Sequence, residues 1–363
     1  IPTIMYFGFK LISVKFFLPM VFVACSLIAL VCGSSFTTIS TLGIAFIGIS
    51  ETIGINLGLT AGAIVSGAFF GANVSPLSGT ANLAAAIGNV DLYEHIKSLV
   101  WTDLPAWVLS FAIYLMVGVK HTDANLPLIV SMSKELQANF WITWWVLLPV
   151  ALLLVTAWLK VPAVPSLAFG AALAVMIGWV HKPISINQLS NYIMNGYVAH
   201  TGNAAMDQLL SKGGISSMLS SLSLIIFALT LGGLLIRLGI IKSLITGIEK
   251  VINSAGKLIF ATAVTCFGVN ILVGEQYLSI ILPGESFKES FVKRHLAPTY
   301  LTRVLSDAGG AINAIIPWSV SGVFISGALQ LKPLQYIPYA FFPIIVAALT
   351  ILVGFVLSRK ING

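Results

Sequence analysis

Uncharged apolar runs dominate the chain and are separated by single charges or short polar stretches. The long runs cover 16–50, 52–90, 104–119, 140–159, 161–180, 213–236, 308–331 and 333–358, with a shorter one at 258–274. An ionised side chain at the centre of a bilayer is costly unless it has a partner or a water-filled cavity, so runs of this length predict membrane-crossing helices. Residues 140–159, 161–180 and 333–358 are dense in Leu, Ile, Val, Phe and Trp. They carry Trp141, Trp144, Trp145, Tyr336 and Tyr339 near one end, where interfacial anchors sit. These three predict plain spanning helices.

Three other stretches hold helix-breaking residues inside uncharged sequence. Residues 32–41 contain Ser34, Ser35, Thr37, Thr38, Ser40 and Thr41; residues 67–82 contain Asn73, Ser75, Pro76, Ser78, Thr80 and Asn82; residues 307–319 contain Asp307, two glycines, Asn313, Pro317 and Ser319. A broken helix at membrane depth frees backbone carbonyls and amides. That is tolerated only where they line a cavity or coordinate a solute. The three stretches are therefore the candidate site.

Composition narrows the class. Of 363 residues 58% are hydrophobic and 9% charged, and the mean hydropathy is +0.99. That is apolar sequence enough for roughly ten segments of about 20 residues, and it excludes a secreted, disordered or ordinary cytosolic protein. The net charge of +7 comes from basic residues placed singly between apolar runs, without the interleaved aromatics of a nucleic-acid surface. They read as topology signals. Lys288, Lys293, Arg294 and Arg303 form the densest basic loop, so that end is expected to be cytoplasmic, as are Arg237, Lys242, Lys250, Lys257, Arg359 and Lys360. If so, residues 258–285 must enter and leave on the same side, as a re-entrant hairpin does. Cys25, Cys32 and Cys266 lie inside apolar stretches and read as small core residues. The chain opens at Ile1 with no signal sequence, so a longer N-terminus is expected.

The chain turns polar over 120–139 and 181–212, which divides it into an early block (1–119), a connecting segment with two spanning helices and an amphipathic stretch (120–215), and a late block (216–363). Residues 184–206 read either as an interfacial helix or as a long exposed loop. Aligning Gly33-Ser-Ser-Phe-Thr-Thr-Ile with Gly274-Glu-Gln-Tyr-Leu-Ser-Ile matches glycine to glycine and Phe36 to Tyr277, and a later polar break follows at Gly71 and Gly309. Such pairs mark a repeat-built transporter.

Most acidic residues fall in loops, and Asp103 reads as a helix N-cap. Glu275 at a helix break, Asp307 at the Gly-Gly break and Glu51 between two runs are the intramembrane candidates for binding a cation or a proton. The plainer readings are a helix-end acid and, for Asp307, an i,i+4 pair with Arg303. Asn73, Ser75, Ser78, Thr80, Asn82, Asn313 and Ser319 are hard oxygen donors suited to Na⁺, or else interhelical glue. His95, His121, His181 and His295 fall in polar loops, and no metal spacing, phosphate loop or nucleophile with its base occurs. Neither an enzyme nor a cofactor is expected.

Several runs together resemble the NhaC-type Na⁺/H⁺ antiporters of the ion transporter superfamily. They are Ile1-Pro-Thr-Ile-Met-Tyr-Phe-Gly8, Gly33-Ser-Ser-Phe-Thr-Thr38, Ser66-Gly-Ala-Phe-Phe-Gly71, Ser75-Pro-Leu-Ser78, Asn82-Leu-Ala84, Glu275-Gln-Tyr-Leu-Ser279, Leu282-Pro-Gly284 and Ile316-Pro-Trp318, in family order over nearly the whole chain. The resemblance implies an all-α integral membrane protein: a polytopic helical bundle with two inverted repeats, re-entrant hairpins and broken helices, whose first helices precede Ile1. It implies a multi-pass protein of the bacterial cytoplasmic membrane that exchanges Na⁺ for H⁺, with Glu275 and Asp307 as proton-coupling acids. Ser34, Ser35, Thr37, Thr38, Asn73, Ser75, Ser78, Thr80, Asn82, Gln276, Asn313 and Ser319 would then contact the ion. The partners implied are the bilayer, the transported ion or an organic acid, and a second copy in a homodimer, with no nucleic acid. Family members carry Asp where this chain has Ala72 and Gly79. That departure keeps open a second substrate class, carboxylates or amino acids, whose carboxylate would sit on helix N-termini at the breaks.

Overall fold

The computed structural model describes residues 16–120, 137–159, 163–202, 214–241 and 254–361, with isolated positions at 3, 6, 134, 161, 207, 211, 243 and 252. Among these all regular secondary structure is helical. The first series runs α1 (Phe17–Cys32), α2 (Ser35–Ile53), α3 (Leu57–Asn73), α4 (Gly79–Gly88) and α5 (Leu92–Lys120). The middle holds α6 (Leu148–Trp158), α7 (Ala163–His181), α8 (Ile186–Asn195) and α9 (Ile215–Arg237). The second series runs α10 (Ala255–Val273), α11 (Gln276–Lys293), α12 (Pro298–Ile315), α13 (Val320–Leu329), α14 (Pro333–Tyr339) and α15 (Phe341–Ile361).

Three described helices are long and apolar enough to cross a membrane, or up to five if each bent pair is one span; the pairs α12–α13 and α14–α15 bend by 43° and 53°. The chain is a polytopic membrane protein. Two of the plain spans expected above are not plain. In 140–159 the helix proper is only Leu148–Trp158, preceded by a 3-10 turn, and in 333–358 Pro338 and the non-helical Ala340 split α14 from α15. Between them, 163–181 is one helix as expected. Within 184–206 the described part is the short helix α8, opened by a reciprocal Ser185–Gln188 capping box with no buried residue; Met206 lies outside the described residues. So do His121, Lys242, Lys250, the polar stretch 121–133 and most of 1–15.

The two series follow one plan. Ser35, Leu57, Gly79 and Leu92 begin helices in the first; Gln276, Pro298, Val320 and Pro333 begin them in the second. Each start is displaced by the same amount, 276 minus 35, or 241. The left-handed backbone positions keep that spacing: Gly33 with Gly274, Gly54 with His295, and Asn89 with Gln330. The alignment at Gly33 and Gly274 therefore carries through to the second break as Pro76 and Pro317. Gly71 and Gly309, matched above, are not equivalents.

Contacts between the series are reciprocal. A β-carbon at Gly43 in α2 would meet Ile64 and Leu329, each at 3.1 Å, and one at Gly284 in α11 would meet Ile87 at 2.6 Å and Leu305 at 3.0 Å. Phe36 stacks on Phe324 of α13 at 4.3 Å, while its counterpart Tyr277 faces Gly79 at the start of α4. Each second helix thus packs against the partner series' fourth helix, as in a two-fold arrangement.

Helices α10 and α11 form a hairpin. At its base Arg294 Nη2 donates to the Ile252 carbonyl at 2.8 Å. At its tip Gly274 adopts φ 74°, donates to Asn270 O and reverses the chain. Helices α1 and α2 turn likewise at Gly33, and Phe17 meets Phe46 edge-on near the base. A β-carbon at Gly33 would lie 2.6 Å from the backbone of Leu77, so only glycine lets the first tip touch the α3–α4 break. At the second tip the Val320 amide donates to Gly274 O at 2.8 Å. Each hairpin tip is seated on the break of its own series.

Candidate functional site

The polar interior begins where α3, α5 and α12 meet. Asn73, at the last turn of α3, donates through Nδ2 to Asp103 Oδ2 at 2.9 Å and to Asp307 Oδ1 at 3.4 Å. Both aspartates are fully buried, and Asp103 Oδ1 and Asp307 Oδ2 have no hydrogen-bond partner. Two buried carboxylates bridged by one amide form a ready site for a proton or a cation. Asp103 is not the N-cap expected above. It sits more than two turns inside α5, which begins at Leu92. Pro105 follows it and cannot donate to the carbonyl of Trp101, which loosens the helix beside the carboxylate.

Asp307 stands in a π-helical segment, Leu305–Gly310, between the α-helical Pro298–Val304 and the 3-10 turn Ala311–Ile315. The wider turn, permitted by Gly309 and Gly310, releases Gly309 O to accept from Asn270 Nδ2 at 2.9 Å and Ser279 Oγ at 3.0 Å. The i,i+4 pair of Arg303 with Asp307 does not form; the one ion pair among the described residues is Lys293 with Glu289. Arg303 is 3% exposed, not a loop residue, and its guanidinium lies over Tyr300 at 5.1 Å. His95, expected in a loop, is likewise buried in α5. Its ring nitrogens reach Thr302 Oγ1 at 2.9 Å and Ser306 Oγ at 3.1 Å, pinning α12 on either side of Arg303.

A second polar centre surrounds the α10–α11 tip. Asn313 donates to Asn270 Oδ1 at 2.7 Å and accepts from the Ser321 amide at 3.1 Å. Ser319 caps α13 through the Gly322 amide and donates to Asn313 O at 2.6 Å. Glu275 is half-buried and caps α11, accepting from the Leu278 amide through Oε2 at 2.8 Å. Gln276 Oε1 accepts from Ser321 Oγ at 3.4 Å.

The first-series tip is built from hydroxyls. Ser34 caps α2 and accepts from the amide and hydroxyl of Thr37. Thr38 bonds Ser34 O, and Ser35 is buried next to it. Ser75 bonds Leu30 O at 2.7 Å, tying the break to α1, and Ser78 pairs with Thr80 at 2.9 Å. Asn82 is exposed and bonds only the Pro76 and Ser78 carbonyls of its own turn. Glu51 is exposed near the end of α2.

Of the residues singled out in the sequence, Asn73 and Asp307 meet directly, Glu275, Gln276, Asn313 and Ser319 gather at one tip, and Ser34 to Thr38 gather at the other with Ser75 to Thr80 behind them. Asp103, Asn270, His95 and Arg303 complete the interior. The polar groups do not follow the repeat: at the 241 spacing Asn313 and Asn270 correspond to Ala72 and Ala29, and Asp307 to Ser66. Among the described residues no three His, Cys, Asp or Glu converge as a metal site, so a cation there would need neutral oxygens beside the two carboxylates. Replacing Asn313 with Ala would leave Asn270 Oδ1 and the Ser321 amide unpaired. It is expected to lower stability by about 2 kcal/mol, read as a lower unfolding temperature; an unchanged temperature would refute the clamp.

Comparison with known proteins places the chain in a family. The model of the Na⁺/H⁺ antiporter family matches residues 67–357. Over 356 residues the chain is 37% identical to the Na⁺/H⁺ antiporter NhaC of Alkalihalophilus pseudofirmus, covering 98% of this chain and 77% of that protein. Over 363 residues it is 38% identical to the NhaC of Bacillus subtilis, covering 98% and 79%. The malate-2H⁺/Na⁺-lactate antiporter of Bacillus subtilis is 33% identical over 357 residues, covering 98% and 76%.

Proposed function

The chain belongs to the Na⁺/H⁺ antiporter family, and from that premise we propose a secondary antiporter of the bacterial cytoplasmic membrane in which the buried pair Asp103 and Asp307 carries the exchanged proton. The observation that carries this reading is the Asn73 bridge, which holds two carboxylates together with one free oxygen on each. Two like charges so placed do not both ionise at low cost, so the empty site keeps a proton. An arriving Na⁺ takes the place of that proton between the carboxylates, and the proton leaves; the reverse step returns it. One cation displacing a proton from shared carboxylates is exchange, with no covalent chemistry.

The hairpin tips supply the remaining ligands in this reading. Glu275 and Gln276 at one tip and Ser34, Ser35, Thr37 and Thr38 at the other stand beside broken backbone, where carbonyls replace an ion's water. Residues 17–120 and 255–361 act as two inverted repeats, and alternating access arises as they rock about the site. The reciprocal contacts across the 241 spacing support the repeat relation.

Glu275→Gln separates its two roles. Glutamine keeps an oxygen for the Leu278 amide and loses the charge. Exchange is expected to fall to background while the protein elutes as a folded species; normal exchange would remove Glu275 from the mechanism. The carboxylate reading rests on Ala72 and Gly79, which leave the α3–α4 break without an acid. In proteoliposomes with an imposed pH gradient, dissipation by Na⁺ or Li⁺ alone supports cation exchange, and dissipation only by malate, lactate or an amino acid supports the second reading.

A further inference from the structure

The buried guanidinium of Arg303 lacks a partner for two of its nitrogens, Nε and Nη2. Arginine does not lose its proton in proteins, so a charge 3% exposed needs an anion. Asp307 and Asp103 act on it electrostatically, but no carboxylate oxygen among the described residues lies within ion-pair distance. Arg303 instead lines a pocket of about 710 Å³ between α5, the start of α12 and α15, which neither acid of the buried pair lines. Lys97, Ser98 and Thr299 supply a second cation and two hydroxyls, and Glu94 is the one acid in the lining.

The opposite side of this pocket is apolar and faces outward. Trp101 is 73% exposed and Leu352 57% exposed, on helices that otherwise cross the membrane. The pocket begins at Ala297, directly after the basic turn Lys293–Arg294, which the distribution of Lys and Arg places on the cytoplasmic side. A cationic floor, a hydroxyl-bearing rim and a lipid-facing wall at a membrane interface match one class of ligand. A guanidinium fork binds phosphate oxygens bidentately, and Trp101 and Leu352 would lie along acyl chains.

We propose that this pocket binds the phosphate of an anionic glycerophospholipid from the cytoplasmic leaflet. Arg303 holds the phosphodiester, Lys97 reaches it from the rim, and Glu94 accepts from a headgroup hydroxyl. Neither Asp103 nor Asp307 lines the pocket, and the proposal stands whether the exchanged substrate is a cation or an acid.

The test is native mass spectrometry of the full-length protein after reconstitution with phosphatidylglycerol, phosphatidylcholine or an equal mixture. The wild type is expected to retain one phosphatidylglycerol in preference to phosphatidylcholine. Lys97→Gln, at an exposed position, is expected to weaken retention roughly fivefold without altering the elution profile, and Arg303→Lys to weaken it further by removing the fork. Equal retention of both lipids, or retention unaffected by Lys97→Gln, would overturn the proposal. Displacement of the lipid by millimolar inorganic phosphate would overturn the lipid source and leave a free phosphate as the ligand.

Discussion

Asp307→Asn and Asp103→Asn are each expected to reduce exchange by about two orders of magnitude or more, because each removes half of the shared proton site. Both variants should fold. Asparagine matches aspartate in volume, and removing a buried, incompletely paired charge costs little compared with removing its partner. The oxygen that accepts from Asn73 is kept in either variant, so the contact of α3 with α5 and α12 survives. The readout is dye-reported internal pH in proteoliposomes, alongside size-exclusion chromatography. A folded Asp103→Asn protein that exchanges at the wild-type rate would show that the carboxylates are structural only.

The second large effect is on assembly. Helix α3 is bordered by glycines at i,i+4 spacing on two faces. A β-carbon at Gly67 would lie 2.3 Å from Phe22 O, and one at Gly71 would lie 2.2 Å from Ser26 O; on the other face Gly58 and Gly62 would meet Gln335 O at 2.1 Å and Tyr339 O at 2.3 Å. The nearest obstacle in each case is a backbone oxygen, which no rotamer change moves. Close backbone approach through small residues is how helices associate where lipid supplies no hydrophobic drive. Gly67→Leu should therefore separate α3 from α1 at a cost of about 3 kcal/mol or more and abolish recovery of monodisperse protein. Gly178→Ala in α7, with open space around it, is the control expected to behave as wild type. Wild-type yield for Gly67→Leu would mean that α1 and α3 do not pack as described.

The sequence showed the membrane class and the breaks for one reason. In hydrocarbon every charge and every broken backbone bond must be justified locally, so uncharged runs, single basic residues and Gly-Pro-Asn clusters are direct signals. The Gly33–Gly274 alignment was legible because both positions need a left-handed backbone. Its continuation was missed at Gly71 and Gly309. Those glycines serve different ends: one admits the backbone of α1 and the other sits in a π-helical segment.

Asp103 and His95 were misplaced because a charge at the edge of an apolar run reads as the end of a helix. Helix α5 in fact continues through 29 residues from Leu92 to Lys120, and only the packing of α3 and α12 against it buries those two side chains. The sequence by itself determined what kind of protein this is and where its helices break, since solvation by lipid acts on each residue along the chain. The tertiary structure alone decided which carboxylates meet, because Asn73, Asp103 and Asp307 come from helices far apart in sequence, and no local signal encodes a distance between them.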